Sequence, residues 1–322
     1  MKKAALKVIV CMILCAFIST VYATEYCTET ICVEEQKIDK IPYEISKIHD
    51  DILKNNNEDV KTFDEYDLIN VFRNKSESQL KAEGYSIEKI KEIKSDEVEK
   101  IITEEIFNRS KLDSNQLKGM GYTSEEIIKL KKLNGSESIE ELSKSGLLAT
   151  CSVYNTYYSH TYKTARDKTF FVVAYGWEWN RAPSILGTDC AGVGWNHDFT
   201  PDNSIDNSYN ITYKTYVNLL DSTMEKYSST NMVEKYMQTS EDVFDLNELY
   251  GEYYYVKSGY GIMCLSQTGK VNDVKFTFKY GHNETGLVPS VGFPWSIGFT
   301  LEEAETVFVP PQLVYHDFAI VE

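Results

Sequence analysis

Two hydrophobic periods divide this chain. Over residues 61–147 apolar side chains recur at helical spacing, and from residue 148 onward they alternate along extended runs. In the first stretch Gln79-Leu80-Lys81-Ala82-Glu83-Gly84-Tyr85-Ser86 returns as Gln116-Leu117-Lys118-Gly119-Met120-Gly121-Tyr122-Thr123, a period of 37 residues. Ser76 with Gln79, Asp113 with Gln116 and Thr123 with Glu126 have the three-residue offset of a capping box. Gly84 and Gly121 stand where a helix ends on a left-handed residue. Ile90 with Ile93, and Ile127 with Leu130, lay an apolar stripe on the helix that follows. The predicted unit is a short helix, a Gly-Tyr corner plugged by its tyrosine, and a second helix. A degraded third copy covers 136–147. A period of this size is that of helical arrays.

The second stretch reads as β structure. In Phe171-Val172-Val173-Ala174-Tyr175-Gly176-Trp177-Glu178-Trp179 the odd positions are all large and apolar or aromatic, so they share one strand face. Val274 to Tyr280 alternates in the same way. Met224, Tyr227, Met232 and Tyr236 have roughly helical spacing and predict a helical insertion over 220–250. The fold class expected is therefore α+β: an N-terminal all-α helical repeat region over 61–147, then a C-terminal antiparallel β-sandwich over 148–322, jelly-roll-like, with that insertion. Residues 24–60 are polar, with Asn55-Asn56-Asn57, and predict a partly mobile arm. The Met120-Gly121-Tyr122 loop resembles, over a short stretch, the corner of ubiquitin-associated three-helix domains. It is read here as a structural corner.

The start of the chain adds a destination. Lys2, Lys3 and Lys7 precede an apolar run from Val8 to Ile18, and Val21-Tyr22-Ala23 supplies a small-residue cleavage site. That is the pattern of a secretory signal peptide over 1–23, and the run is too short to span a bilayer. A secreted, bacterial protein with no membrane-spanning segment after processing is the expectation; the Lys, Asn, Ile and Glu richness points to the source. Of 322 residues, the formal charge is −16, and loss of the three leader lysines takes it to −19. Such acidity opposes nucleic acid and anionic lipid as partners. After cleavage Cys27 and Cys32 predict a disulfide in an oxidising compartment, and the pairing of Cys151, Cys190 and Cys264 stays open. Oligomeric state is not legible.

All four tryptophans and 17 of the 23 tyrosines follow residue 148. An aromatic-rich exported β domain points to a non-catalytic binding protein whose partner is carbohydrate or a cell-surface polymer. Trp177, Trp179 and Tyr175 are the candidate ring platform. The alternative is an exported hydrolase of the glycoside hydrolase type, with Glu178, Asp189 and His197 in acid–base roles. A weaker alternative is a membrane-acting pore former; the acidic charge and the want of a cleanly alternating strand pair stand against it. Gly-x-Ser-x-Gly, His-Glu-x-x-His and phosphate loops are absent from the sequence. No cofactor is expected, apart from a weak Ca²⁺ candidate at Asp202, Ser204 and Asp206, whose twelfth loop position is Tyr213 rather than Glu.

Overall fold

Strand β4 (Lys168–Trp179) is buried on both faces, and its two faces belong to two different cores. Phe171, Val173, Tyr175, Trp177 and Trp179 point into the space between two sheets. Phe170, Val172 and Ala174 point the other way, into a second apolar layer. The computed structural model describes residues 36–55, 60–82, 86–195, 199–231, 233–236, 239–245, 253–271 and 273–282, with strands at 306–308, 312–315 and 319–321.

A nine-stranded sheet is built around β4. Its neighbours are β3 (Thr150–Lys163) and β11 (Tyr254–Thr268), followed by β7 (Ile211–Asn218), β8 (Glu225–Asn231) and, at the edge, β1 (Gln36–Ile38). The other sheet centres on β5 (Thr188–Trp195), between β12 (Asp273–Gly281) and β10 (Thr239–Asp245). Pairing is antiparallel in both, except where β15 (Ala319–Val321) lies parallel to β3. Ala191, Val193, Phe276, Phe278 and Tyr280 close the inter-sheet core from the second sheet. Glycines admit the large rings. A Cβ on Gly259 would collide with the six-membered ring of Trp177, and one on Gly261 would meet the Tyr175 hydroxyl at 2.6 Å.

The expected helical repeat region is overturned, and with it the α+β class: the chain is mostly antiparallel sheet. Short helices do occur at Glu77–Ala82, Ile87–Ile93, Ser114–Gly119, Ser124–Leu130 and Ile139–Lys144, each of six or seven residues. They do not stack as repeats. Leu80, Ile90 and Ile93 form a small cluster of their own. Leu117, Tyr122, Ile127 and Leu130 instead bury against Ile102 and Ile106, and against Leu147, Leu148 and Ile185 of the sheet-bearing part. A single turn or two of helix contributes little by itself, so these stripes gather on the largest apolar surface available, where Ile139 and Leu142 of the degraded third copy join them. The capping boxes at Asp113 and Thr123 are formed, because they are local. Buried polar pairs lock these helices to the sandwich. Arg109 of the helix Glu97–Ser110 donates from Nη1 to the Ala182 carbonyl and from Nη2 to that of Pro183, both at 3.0 Å. The Glu65 carboxylate accepts from the backbone N–H groups of Ala149 at 2.9 Å and Ser184 at 2.5 Å.

The helical insertion expected over 220–250 is also overturned. Residues 225–231 are strand β8, followed by β9 (Val233–Tyr236) and β10. Tyr227 and Thr230 favour the extended chain, and β7 holds β8 in register from Ile211↔Asn231 to Val217↔Glu225. The strand order is not that of a jelly roll, since β11 sits between the hairpins β3–β4 and β7–β8. Within the stretch read as a polar arm, Tyr43–Lys54 is a twelve-residue helix, α1, lying on β4 and β11.

Candidate functional site

The aromatic strip lies at the centre of the inter-sheet core. Tyr175, Trp177 and Trp179 are fully buried, and Trp177 stacks on Tyr280 at 5.0 Å between ring centroids. No face of these rings is presented to a ligand. Even positions of a strand point oppositely, so Glu178 sits on the other side, half-buried, 3.2 Å from Lys257 Nζ.

Asp189 is brought to a histidine, but to His282. His282 Nδ1 is 2.8 Å from Asp189 Oδ1, the Tyr280 hydroxyl donates to Asp189 Oδ2, and Trp179 Nε1 donates to the Tyr280 hydroxyl at 2.9 Å. Burial, with the Asp189 charge, pushes the Tyr280 phenol far above its ordinary range. This chain of four groups satisfies polar atoms inside the core. Glu178 and Asp189 do not converge, because they lie on opposite sides of β4 and its sheet. His197, Cys27 and Cys32 lie outside the described residues. Cys151 and Cys264 are buried thiols, and burial raises both, Cys264 to about 12.

The Ca²⁺ candidate resolves into two turns. Asp202 accepts from the Ser204 N–H at 2.8 Å, from the Ser266 hydroxyl at 2.7 Å and from Lys168 Nζ at 3.3 Å. Partial burial works to raise its carboxyl, but the hydrogen bonds from Ser204 and Ser266 outweigh it and hold the group well below the usual range. Asp206 accepts separately from Ser208, through both its N–H and its hydroxyl. Asp202 and Asp206 thus bond to separate local partners. No group of three or more His, Cys, Asp or Glu side chains suited to a metal occurs among the described residues.

The least ordinary feature is the β7–β8 hairpin. Its inward face is a polar ladder: Thr212 pairs with Thr230 and Lys214 with Ser228, with Tyr216 opposite Lys226 next to the connection. Thr212 and Ser228 are buried, and Lys214 is only 1% exposed, its Nζ donating to the Thr230 hydroxyl at 3.0 Å. The Thr212 hydroxyl is 3.0 Å from that of Tyr175. The outward face carries Tyr213 in the second apolar layer, with Ile211 and Tyr227 packed beside it. A buried ammonium and a row of hydroxyls contribute far less to a core than aliphatic groups would, and each must be satisfied to avoid a penalty.

The connection between the two strands is apolar and exposed. Leu220 is 60% and Met224 50% exposed, and the adjoining Tyr253 is 61% exposed. Leu219 N–H donates to the Tyr253 carbonyl at 2.7 Å, bringing the two segments together, and Ser222 N–H rests on the Gly119 carbonyl at 2.8 Å. The sequence signal for the hairpin was the run Ser228-Ser229-Thr230 between turn residues. It was masked by the helical spacing of the larger side chains.

No protein-family model matches the chain, and no curated protein matches it. Solved structures with some likeness include a pore forming protein, at TM-score 0.22 and 10% identity, and Clostridium perfringens delta-toxin, at TM-score 0.20 and 7% identity. Each likeness covers 41% of this chain and 73% of the other. A third, AvmM, which catalyses macrocyclisation in alchivemycin A biosynthesis, has TM-score 0.19 and 10% identity over 53% of this chain and 89% of its own. Scores this low assign neither fold nor activity, and no residue role is carried over from them.

Proposed function

We propose that this chain is an exported, non-catalytic protein that acts on membranes through its β7–β8 hairpin. The observation that carries the reading is the contrast between the hairpin's two faces: a hydroxyl-and-ammonium face at Thr212, Lys214, Ser228 and Thr230, and a face on which Ile211, Tyr213 and Tyr227 join the second apolar layer, interspersed with Thr215 and Ser229. A strand with one polar and one apolar face suits a boundary between water and lipid, where the polar face lines an aqueous path. The exposed tip formed by Leu220, Met224 and Tyr253 supports the same reading, since aliphatic groups beside a tyrosine match the interfacial region of a bilayer. The acidic surface makes the preferred bilayer zwitterionic rather than anionic. No helix among the described residues is long and apolar enough to cross a membrane, so any crossing would be made by strands.

Glycoside hydrolysis finds less support, because Glu178 and Asp189 do not share a cleft. A sugar platform finds none in the buried rings. The test is dye release from phosphatidylcholine vesicles at micromolar protein. The mature chain is expected to release dye, and Leu220→Asp with Met224→Asp to lower the rate by about tenfold or more, from the lost transfer of two side chains into lipid. A flat trace from the parent, or equal release by a folded double variant, refutes the proposal.

A further inference from the structure

The N-terminal segment is strapped across the outward face of the nine-stranded sheet. At one end β1 pairs with the β8 edge, Gln36↔Ser229 to Ile38↔Tyr227. At the other, α1 lays Ile45, Ile48, Ile52 and Leu53 on the layer formed by Tyr154, Phe170, Val172, Tyr213 and Tyr260. The strap thus pairs with the hairpin's outer strand through β1, and α1 lies beside the hairpin on β4 and β11.

At the centre of this contact is a titratable group that the proposed activity does not use. His49 is buried, its ring stacked on Tyr260 at 4.0 Å and 12° between planes. Its Nδ1 is 3.0 Å from the Tyr154 hydroxyl, and its Nε2 is 3.9 Å from Glu178 Oε2. Tyr154 is a phenol that burial holds in its protonated form, so it serves as the donor and Nδ1 as the acceptor. The charged groups facing His49 are Glu178 on β4, Lys257 on β11, which is itself paired to Glu178, and Asp50 on its own helix. A proton added at Nδ1 would force the Tyr154 hydroxyl to turn from donor to acceptor, and would place a cation in a buried layer where Lys257 opposes it and Glu178 offsets only part of the lost solvation.

We propose that residues Gln36–Lys54 form an acid-released strap, in which protonation of His49 unseats α1 and uncovers the outward face of β4 and β11 beside the β7–β8 hairpin. Burial is the main cause of a lowered His49 pKa, from 6.5 to about 3; Asp50 opposes it and Lys257 adds to it. The sign follows from that direction. Docking is fully favourable above pH 6.5, and its advantage falls away as the pH drops from 6.5 towards 3. The docking equilibrium is weakened about tenfold at pH 5.5 and about a hundredfold at pH 4.5. Release concerns the strap alone and holds whether or not the hairpin enters lipid, so failure of vesicle leakage and failure of release are separate outcomes.

The experiment is amide hydrogen exchange on the mature chain, corrected for the intrinsic pH dependence of exchange, alongside an NMR titration of the His49 ring. Protection over Tyr43–Lys54 is expected to fall by those factors while β4 keeps its own, and the ring is expected to titrate together with that fall. His49→Phe keeps an aromatic stack, and His49→Gln keeps an acceptor for Tyr154; both are expected to show protection independent of pH. Equal protection of the parent at pH 7.5 and pH 4.5 overturns the proposal. So does the parent's full pH dependence surviving in both variants. If both variants are already undocked at neutral pH, the parent decides: a ring that titrates near its free value apart from the loss of protection overturns it, and coincidence of the two supports it.

Discussion

Replacing Arg109 with Met asks how far the short helices and the sandwich form one cooperative unit. The guanidinium is buried and makes three bonds within 3.0 Å: to the carbonyls of Ala182 and Pro183, and to Glu105 Oε1 at 2.9 Å. Methionine keeps an apolar stem of similar length, so packing is partly retained. What is lost are two charge-assisted bonds to buried carbonyls, each contributing about 1.5–3 kcal/mol, and the carbonyls are left without a replacement donor. The expected loss is about 3–5 kcal/mol of unfolding free energy. Trp177, Trp179 and Trp195 are buried in the sheets, so tryptophan fluorescence in a urea titration reports on the sandwich, while far-ultraviolet dichroism includes the helices. Both signals are expected to move together to lower urea with an unchanged slope. A shift worth less than about 1 kcal/mol, or movement of the dichroism alone, would refute the reasoning, since it would show that the Arg109 fork does not join the two parts.

Two further substitutions probe the same packing. Gly259→Ala places a Cβ against the Trp177 indole, and overpacking there is expected to cost about 1–3 kcal/mol by thermal or urea unfolding; a neutral result would mean that the ring can step aside. Glu65→Gln turns one of two acceptors facing backbone N–H groups into a donor, at an expected cost of about 1–3 kcal/mol, and an unchanged midpoint would deny that both bonds hold.

What could be read from the sequence were features settled within a few residues. The two-faced pattern of Phe171–Trp179 gave the sides of β4 correctly, and the offset from Thr123 to Glu126 gave a formed cap. Features settled by distant partners could not be read. The repeat in Gln79–Ser86 and Gln116–Thr123 is real as sequence, yet Ile185 and Leu148 draw the second copy onto the sandwich, and nothing in the repeat announces them. Asp189 meets His282 across 93 positions, and His49 meets Tyr154 across 105. For His49 there was one signal: it lies on the stripe of Ile41, Ile45, Ile48 and Ile52, so a helix there would bury it. Residues 220–250 misled because Met224, Tyr227, Met232 and Tyr236 fit both a loose helical period and a strand with turns. Register with β7 decides between them, and register is not a local property.

The same ambiguity governs the aromatic strip, and it can be settled by stability rather than by ligand. Five large side chains on one face of a strand are what a binding groove needs and also what a sandwich core needs; only the second sheet decides. Here Phe278 and Tyr280 cover Trp177, and Tyr280 takes the hydrogen bond from Trp179. Trp177→Ala and Trp179→Ala are therefore expected to cost about 3–5 kcal/mol each. Trp179→Phe should cost less, because the ring volume is mostly kept and the Tyr280 hydroxyl still donates to Asp189. Rings on an open platform would behave otherwise: alanine there would leave the unfolding midpoint within about 0.5 kcal/mol of the parent. A midpoint that does not move for Trp177→Ala would place the indole at the surface and reopen the groove.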